Sequence, residues 1–198
     1  PSNAAECVYP VVRRASPVGG SWARGTGGRI GAGRATAGTY SRLVQIEPRP
    51  LDDPDVQALI DEVQLEYVRR YGGPDHTELH PEQFAPPRGL FLLAHSGTAP
   101  LGIGGWRAYD ARHPGLRDGD AEIKRMYVRA DSRRRGIARR LLDALERTAA
   151  DAGRRRIVLE TGTAQPEAIA MYTAAGYAPM HERFGIWADS ESSLYFAK

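Results

Sequence analysis

The stretch RADSRRRGIARRLL, Arg129 to Leu142, gathers six arginines around one glycine and then runs into the apolar residues of a helix. Basic side chains at a helix start oppose the positive end of the helix dipole, so this clustering asks for an anion. Gly136 falls where the incoming loop becomes helix. Glycine lets the backbone come close to a ligand, and the amides of a first helical turn have no partners within the helix. Free amides flanked by arginines make a cradle for a pyrophosphate. The loop is not of the Gly-x-x-x-x-Gly-Lys-Ser/Thr type, a spacing the chain lacks. Read by themselves, the arginines fit a solvated basic face equally well.

Upstream, AEIKRMYV (Ala121 to Val128) reads as a strand, yet it carries Glu122, Lys124 and Arg125 in its first half. A strand feeding a parallel crossover is normally apolar on both faces, and buried charge is costly unless paired or functional. Glu122 and Lys124 share a face, so an ion pair is one reading and a reactive carboxylate the other. Tyr172 lies with Ala168, Ile169 and Ala175 on one helix face and fits plain core as well as chemistry. His76 and His80 stand four apart, but Gly72-Gly73-Pro74 before them and Pro81 after them break the helix that a metal pair would need. No metal is expected. The loop from Gly73 to Arg88 fits better as one wall of a binding site.

These residues need a scaffold, and the chain has room for one domain: 198 residues, 41% hydrophobic and 26% charged. A net charge of +3 is a weak argument for nucleic acid, but the local asymmetry is stronger. From Lys124 to Arg156 there are twelve Lys or Arg against four acids. A single cysteine, Cys7, excludes an intrachain disulfide and a cysteine zinc site and fits a reducing, cytoplasmic setting. No run of eighteen apolar residues is present, so no membrane span is expected. The N-terminal region lacks the apolar segment of a secretory signal. Residues 1–40, with GGSWARGTGGRIGAGRATAG, read as a flexible tail, native or, from the triplet Ser2-Asn3-Ala4, tag-derived.

Residues 41–198 read as the folded domain. SRLVQIEP alternates as a strand. Asp53 and Pro54 start a helix that Gly72 stops. A hairpin follows, with strands near 89–95 and 100–109 around Ser96-Gly97, then the strand at 121–128. Ile137, Leu141, Leu142 and Leu145 mark a helix ending near Gly153, RIVLETG (Arg156 to Gly162) a strand, and Pro166 to Gly176 a helix. Two last strands are expected in YAPMHERFGIW and SLYFAK. The fold class is α/β: a mixed sheet of six or seven strands flanked by helices, with a parallel β-α-β core around residues 121–162.

Over Ala121 to Met180 the chain resembles the GCN5-related N-acetyltransferase (GNAT) family. AEIKRMYV is similar to the family's fourth strand, Arg133-x-x-Gly136-x-Ala138 to its Arg/Gln-x-x-Gly-x-Gly/Ala loop, RIVLETG to its fifth strand, and QPEAIAMYTAAGY to its Asn-x-x-Ala-x-x-x-Tyr-x-x-x-Gly-Phe/Tyr helix. The resemblance implies acetyl-CoA as co-substrate and an amine acceptor, joined by direct attack. Met126, Tyr127 and Val128 would bond the pantetheine arm through their backbones. Arg133 with the backbone of Arg134, Arg135, Gly136, Ile137, Ala138 and Arg139 would hold the pyrophosphate. Gln165 replaces the family's asparagine beside the CoA amides. The resemblance further implies Glu122 as the base facing the amine and Tyr172 as the acid beside the thioester sulfur.

Three functions follow: acetylation of a small-molecule amine, acetylation of a protein or peptide, which would need an open groove, or binding of nucleic acid by the arginines. The basic segment holds a single aromatic residue, Tyr127, which argues against the third. A homodimer is left open.

Overall fold

The computed structural model describes residues 44–110 and 113–198, so the tail expected over residues 1–40 lies outside the described residues. Strand β1 is Gln45–Pro48. Helix α1, Pro54–Tyr71, starts as its sequence requires: the Asp53 side chain accepts from the amides of Asp55 and Val56, with Pro54 in the first turn. Val56, Leu59 and Val63 recur at helical spacing and are buried. A short 3-10 turn, Pro81–Phe84, interrupts the loop that follows and buries Phe84 edge-on against Phe91. Strands β2 (Gly89–Ser96) and β3 (Ala99–Tyr109) form the hairpin, and β4 spans Asp120–Val128. Helix α2 is Ile137–Asp151, β5 Arg156–Gly162 and α3 Pro166–Ala174. The chain closes with β6, Ala178–Pro179, and β7, Ser193–Ala197.

The strand expected within YAPMHERFGIW is present but short, Ala178–Pro179, and the chain from Met180 to Ser192 is irregular. His181, Glu182 and Arg183 are exposed, and Gly185 takes a left-handed φ of 73°, so there is no alternating pattern for a ladder to use.

The seven strands form one sheet in the order β1-β2-β3-β4-β5-β7-β6. All neighbours are antiparallel except β4 and β5, the parallel pair joined through α2. Alternation along β2 divides the core. Leu92 and Ala94 pack with Ile137, Leu141, Leu142 and Leu145 of α2 and with Tyr172 of α3. Phe91 and Leu93 pack with Val56, Leu59 and Val63 of α1. One helix therefore covers one face of the sheet and two cover the other. Full burial of each Leu or Phe contributes about 1.5–3 kcal/mol, and this holds the parallel pair rigidly in the middle of the sheet.

Candidate active site

The parallel pair opens where chemistry could occur. β4 and β5 are in register from Asp120 opposite Arg156 to Ile123 opposite Leu159, and pairing stops there although both strands continue. The cause lies on the other side of β4. Against β3, Tyr127 faces Ile103 and Lys124 faces Gly105, so Arg125 and Met126 together oppose Gly104 alone. This is a β-bulge, with Arg125 at a left-handed φ of 55°. A bulge bends its strand and re-aims its side chains, and here it turns β4 away from β5. Among the described residues, no strand pairs with the edge of Lys124 to Val128 that this exposes.

A cavity of about 460 Å³ fills the opening. β4 contributes Ile123 to Met126, β5 contributes Glu160 to Gly162, and α1 contributes Tyr67 and Tyr71. Gln165, Ala168 and Tyr172 of α3 and Trp187 of the β6–β7 loop complete most of the wall. Gly162 admits the closest contact: a Cβ there would lie 2.0 Å from the Tyr71 hydroxyl. The same hydroxyl accepts from Gln165 Nε2 at 3.2 Å.

Arg129 pairs with Glu62 of α1 at 3.5 Å, and the other five arginines of the stretch divide into two sets. Arg133 turns inward, donating from Nε to the Val128 carbonyl at 2.9 Å and pairing with Glu66 of α1. Arg140 also turns inward, onto the Val44 carbonyl at 2.8 Å. Arg134, Arg135 and Arg139 are exposed around the start of α2. That start has no side-chain cap: Gly136 occupies the cap position at φ 76°, and Arg134 is left-handed at φ 60°. Turns of this kind gather backbone N–H groups into anion-binding concavities. Ile137 is buried and anchors the helix beneath them, with Ala138 packed against the same core.

Sequence reading puts Glu122 at the mouth of the site; the structure puts it beneath, and it does not line the cavity. It is 1% exposed. Its Oε2 accepts from Arg107 Nε at 2.8 Å and from the Tyr109 hydroxyl at 2.9 Å, while Lys124 Nζ sits 2.8 Å from Oε1. Burial alone would raise its carboxyl, but Lys124 and Arg107 outweigh burial and hold it below the usual carboxylate value. Such a group resists taking up a proton.

Glu160 has the opposite character, and the sequence reading passed over it. It lines the cavity, and burial raises its carboxyl above the ordinary value despite a hydrogen bond from Ser193. The signal was present in RIVLETG: a lone glutamate at the carboxyl end of a parallel strand, where α/β sheets place their ligands. Tyr172 lines the same cavity, 5% exposed and edge-on to Tyr177 with ring centroids 5.7 Å apart. Burial, reinforced by Tyr67 and Glu160, raises its hydroxyl and keeps it protonated. Asp75 is the other carboxylate of the cavity wall. Burial opposes its ionisation, but Arg125 and Thr77 prevail and lower it to about 2.

Comparison with known proteins identifies this architecture. The model of the Acetyltransferase (GNAT) family matches residues 56–177. The chain belongs to the GNAT acetyltransferase family. It is similar to an IAA acetyltransferase from Azospirillum brasilense, 34% identical over 149 residues that span 75% of this chain and 92% of that protein. A solved structure described as an acyl-CoA N-acyltransferase from Klebsiella pneumoniae is 25% identical, with a TM-score of 0.64 over 79% of this chain and 97% of that one. A GNAT acetyltransferase from Elizabethkingia anophelis with acetyl-CoA bound shares the fold at 16% identity and a TM-score of 0.53, over 78% of this chain and 97% of that one.

The acetyltransferase is thus an acyl-CoA-dependent enzyme whose matched segment contains the splayed strands, the uncapped helix start and Tyr172. His76 lies beside Trp187, with ring centroids 6.5 Å apart, whereas His80 is exposed next to Glu78. Among the described residues no helix is long and apolar enough to cross a membrane.

Proposed function

We propose that this acetyltransferase moves the acetyl group of acetyl-CoA to the primary amine of a small molecule in one direct step. The single observation that carries the reading is that Glu160 and Tyr172, a carboxylate made more basic by burial and a hydroxyl that keeps its proton, line one cavity between the splayed ends of β4 and β5. A volume of about 460 Å³ lies within the range of about 300–1,000 Å³ common for small-molecule sites. A protein acceptor would call for an open groove, and nucleic acid is disfavoured because Arg133 and Arg140 turn inward.

The chain's residues suit the donor. The uncapped start of α2, with Gly136 and exposed Arg134, Arg135 and Arg139, suits a pyrophosphate. The unpaired edge of Met126, Tyr127 and Val128 suits the amides of a pantetheine arm, with Gln165 opposite. Acetyl-CoA supplies the acetyl group as a thioester. Glu160 takes a proton from the acceptor's ammonium. The freed amine attacks the thioester carbonyl, so that a C–N bond forms and the C–S bond breaks; Tyr172 protonates the departing thiolate and regains a proton from the newly acylated nitrogen, which is left as a neutral amide. Glu122 acts at one remove, holding Lys124 in the cavity wall.

The test is thiol release from acetyl-CoA across a panel of amines, alongside melting in CoA. Amine-dependent release is expected, with a stabilisation of about 2.7 kcal/mol when CoA is a hundredfold above its dissociation constant. No release and no shift, with salt-sensitive binding to an oligonucleotide instead, would overturn the reading.

A further inference from the structure

We infer that the acceptor is a singly charged primary amine carried on a flat aromatic body, with Trp187 as the residue that selects it. The inference rests on the acetyl-transfer reading of the same cavity. Of the acidic side chains lining the cavity, Asp75 is fully engaged: its Oδ1 accepts from Trp187 Nε1 at 3.0 Å and from the Thr77 amide at 2.8 Å, and its Oδ2 is paired with Arg125. Arg125 donates further to the Thr77 carbonyl at 3.1 Å and stacks over Tyr67 at 5.9 Å. Lys124 is held by Glu122 at 2.8 Å. Glu160 remains, with a hydroxyl partner in Ser193 and no ion pair among the described residues. The cavity therefore offers one place for one cation. A second positive or a negative group on the acceptor would lose its water and find no free counter-charge.

The rest of the acceptor meets rings. Tyr67, Tyr71, Tyr172 and Trp187 all line the cavity. Trp187 projects from the irregular β6–β7 loop, yet its indole N–H is tied to Asp75, which stays ionised and is itself fixed by Arg125 and Thr77. The ring is thus oriented before anything binds, and a preoriented wall loses less freedom on binding than a mobile one. Rings facing rings gain beyond buried area, on the order of two- to tenfold in binding per pair. Asp75 is on this account a positioning residue and Trp187 a contact residue.

Four probes separate ring from charge: phenethylamine, hexylamine (no ring), phenylalanine (added carboxylate) and hexanediamine (second cation). With acetyl-CoA and thiol release as readout, kcat/KM for phenethylamine should exceed each of the others by about tenfold or more. Trp187→Ala should reduce the preference for phenethylamine over hexylamine to about threefold or less, while Trp187→Phe keeps most of it. The CoA-induced rise in Tm should be the same in both variants as in wild type, which also reports that they fold. Equal use of hexylamine, phenylalanine or hexanediamine, or an undiminished ring preference in Trp187→Ala, overturns this inference alone. Failure to acetylate any amine overturns the acetyl-transfer reading, and the inference with it.

Discussion

The two glutamates of the parallel pair should respond to the same substitution in opposite ways. Glu122 receives three donors, Arg107, Tyr109 and Lys124, at 2.8–2.9 Å and is almost wholly buried. Glu122→Gln keeps the volume but removes the charge that balances two cations. Breaking a buried pair in this way costs about 3–5 kcal/mol, and at about 2–4 °C per kcal/mol for a domain of this size the Tm should fall by roughly 6–20 °C. Rate per folded molecule should change little. Glu160→Gln works the other way. Its folded pKa lies above the ordinary carboxylate value, so ionisation costs the folded state. Stability is highest where Glu160 is protonated and falls as pH rises from the ordinary value through the raised one. At neutral pH the Glu160→Gln enzyme should therefore be as stable as wild type or slightly more so. Its rate should drop by about a hundredfold to ten-thousandfold, and the deficit should shrink at high pH, where the amine is already free. Thermal melting and thiol release on the same samples measure both quantities. A Glu122→Gln enzyme with normal Tm and a collapsed rate, beside a fully active Glu160→Gln enzyme, would refute the assignment.

Tyr172→Phe removes only a hydroxyl from a packed ring, so Tm should hold while kcat falls about ten- to a thousandfold; because burial raises the hydroxyl, wild-type activity should show no tyrosine-dependent decline below about pH 10. Gly162→Ala would set a Cβ 2.0 Å from the Tyr71 hydroxyl and should lower activity by displacing Tyr71, and adding Tyr71→Ala should recover part of the loss, a non-additivity visible in a double-mutant cycle. Arg133→Gln, which breaks inward bonds to Val128 and Glu66, should lower the Tm without CoA, whereas Arg134→Gln with Arg139→Gln should leave that Tm alone and reduce the rise that CoA produces.

Most of the scaffold could be read from local signals, because the residues that start and stop its elements act locally. Asp53-Pro54 caps α1, and Leu141, Leu142 and Leu145 repeat at helical spacing. The reactive corner was harder. The bulge at Arg125 leaves no mark on its own strand: β4 holds no glycine or proline, and the bulge exists because β3 and β4 pair out of step around Gly104. From the family resemblance Glu122 reads as the base that faces the amine; in the fold β4 leaves β5 just beyond Ile123, and Glu160 lines the gap. Trp187 was hidden for another reason. It sits in an irregular loop, and its place depends on Asp75, 112 residues earlier in the chain.

The six arginines of the opening stretch make sense once their roles are separated. Charge crowded at a helix start is unfavourable in isolation, and the fold answers part of that crowding internally. Arg133 is bound to Glu66, Glu66 to Arg70, and Arg70 to Glu167 and to the Ala164 carbonyl. This ladder runs from the β4–α2 loop across α1 to the start of α3, linking the two sides of the opening. Two consequences follow from its geometry. The basic surface turned to solvent is smaller than the sequence suggests, centred on Arg134, Arg135 and Arg139, the last paired with Asp143 at 2.8 Å, around an uncapped glycine. And α1, which supplies Tyr67 and Tyr71 to the cavity wall, is braced by the same loop that would grip a pyrophosphate. On the proposed assignment the sites for the two substrates are tied by ion pairs as well as by the sheet, and Arg133 is the arginine that ties them.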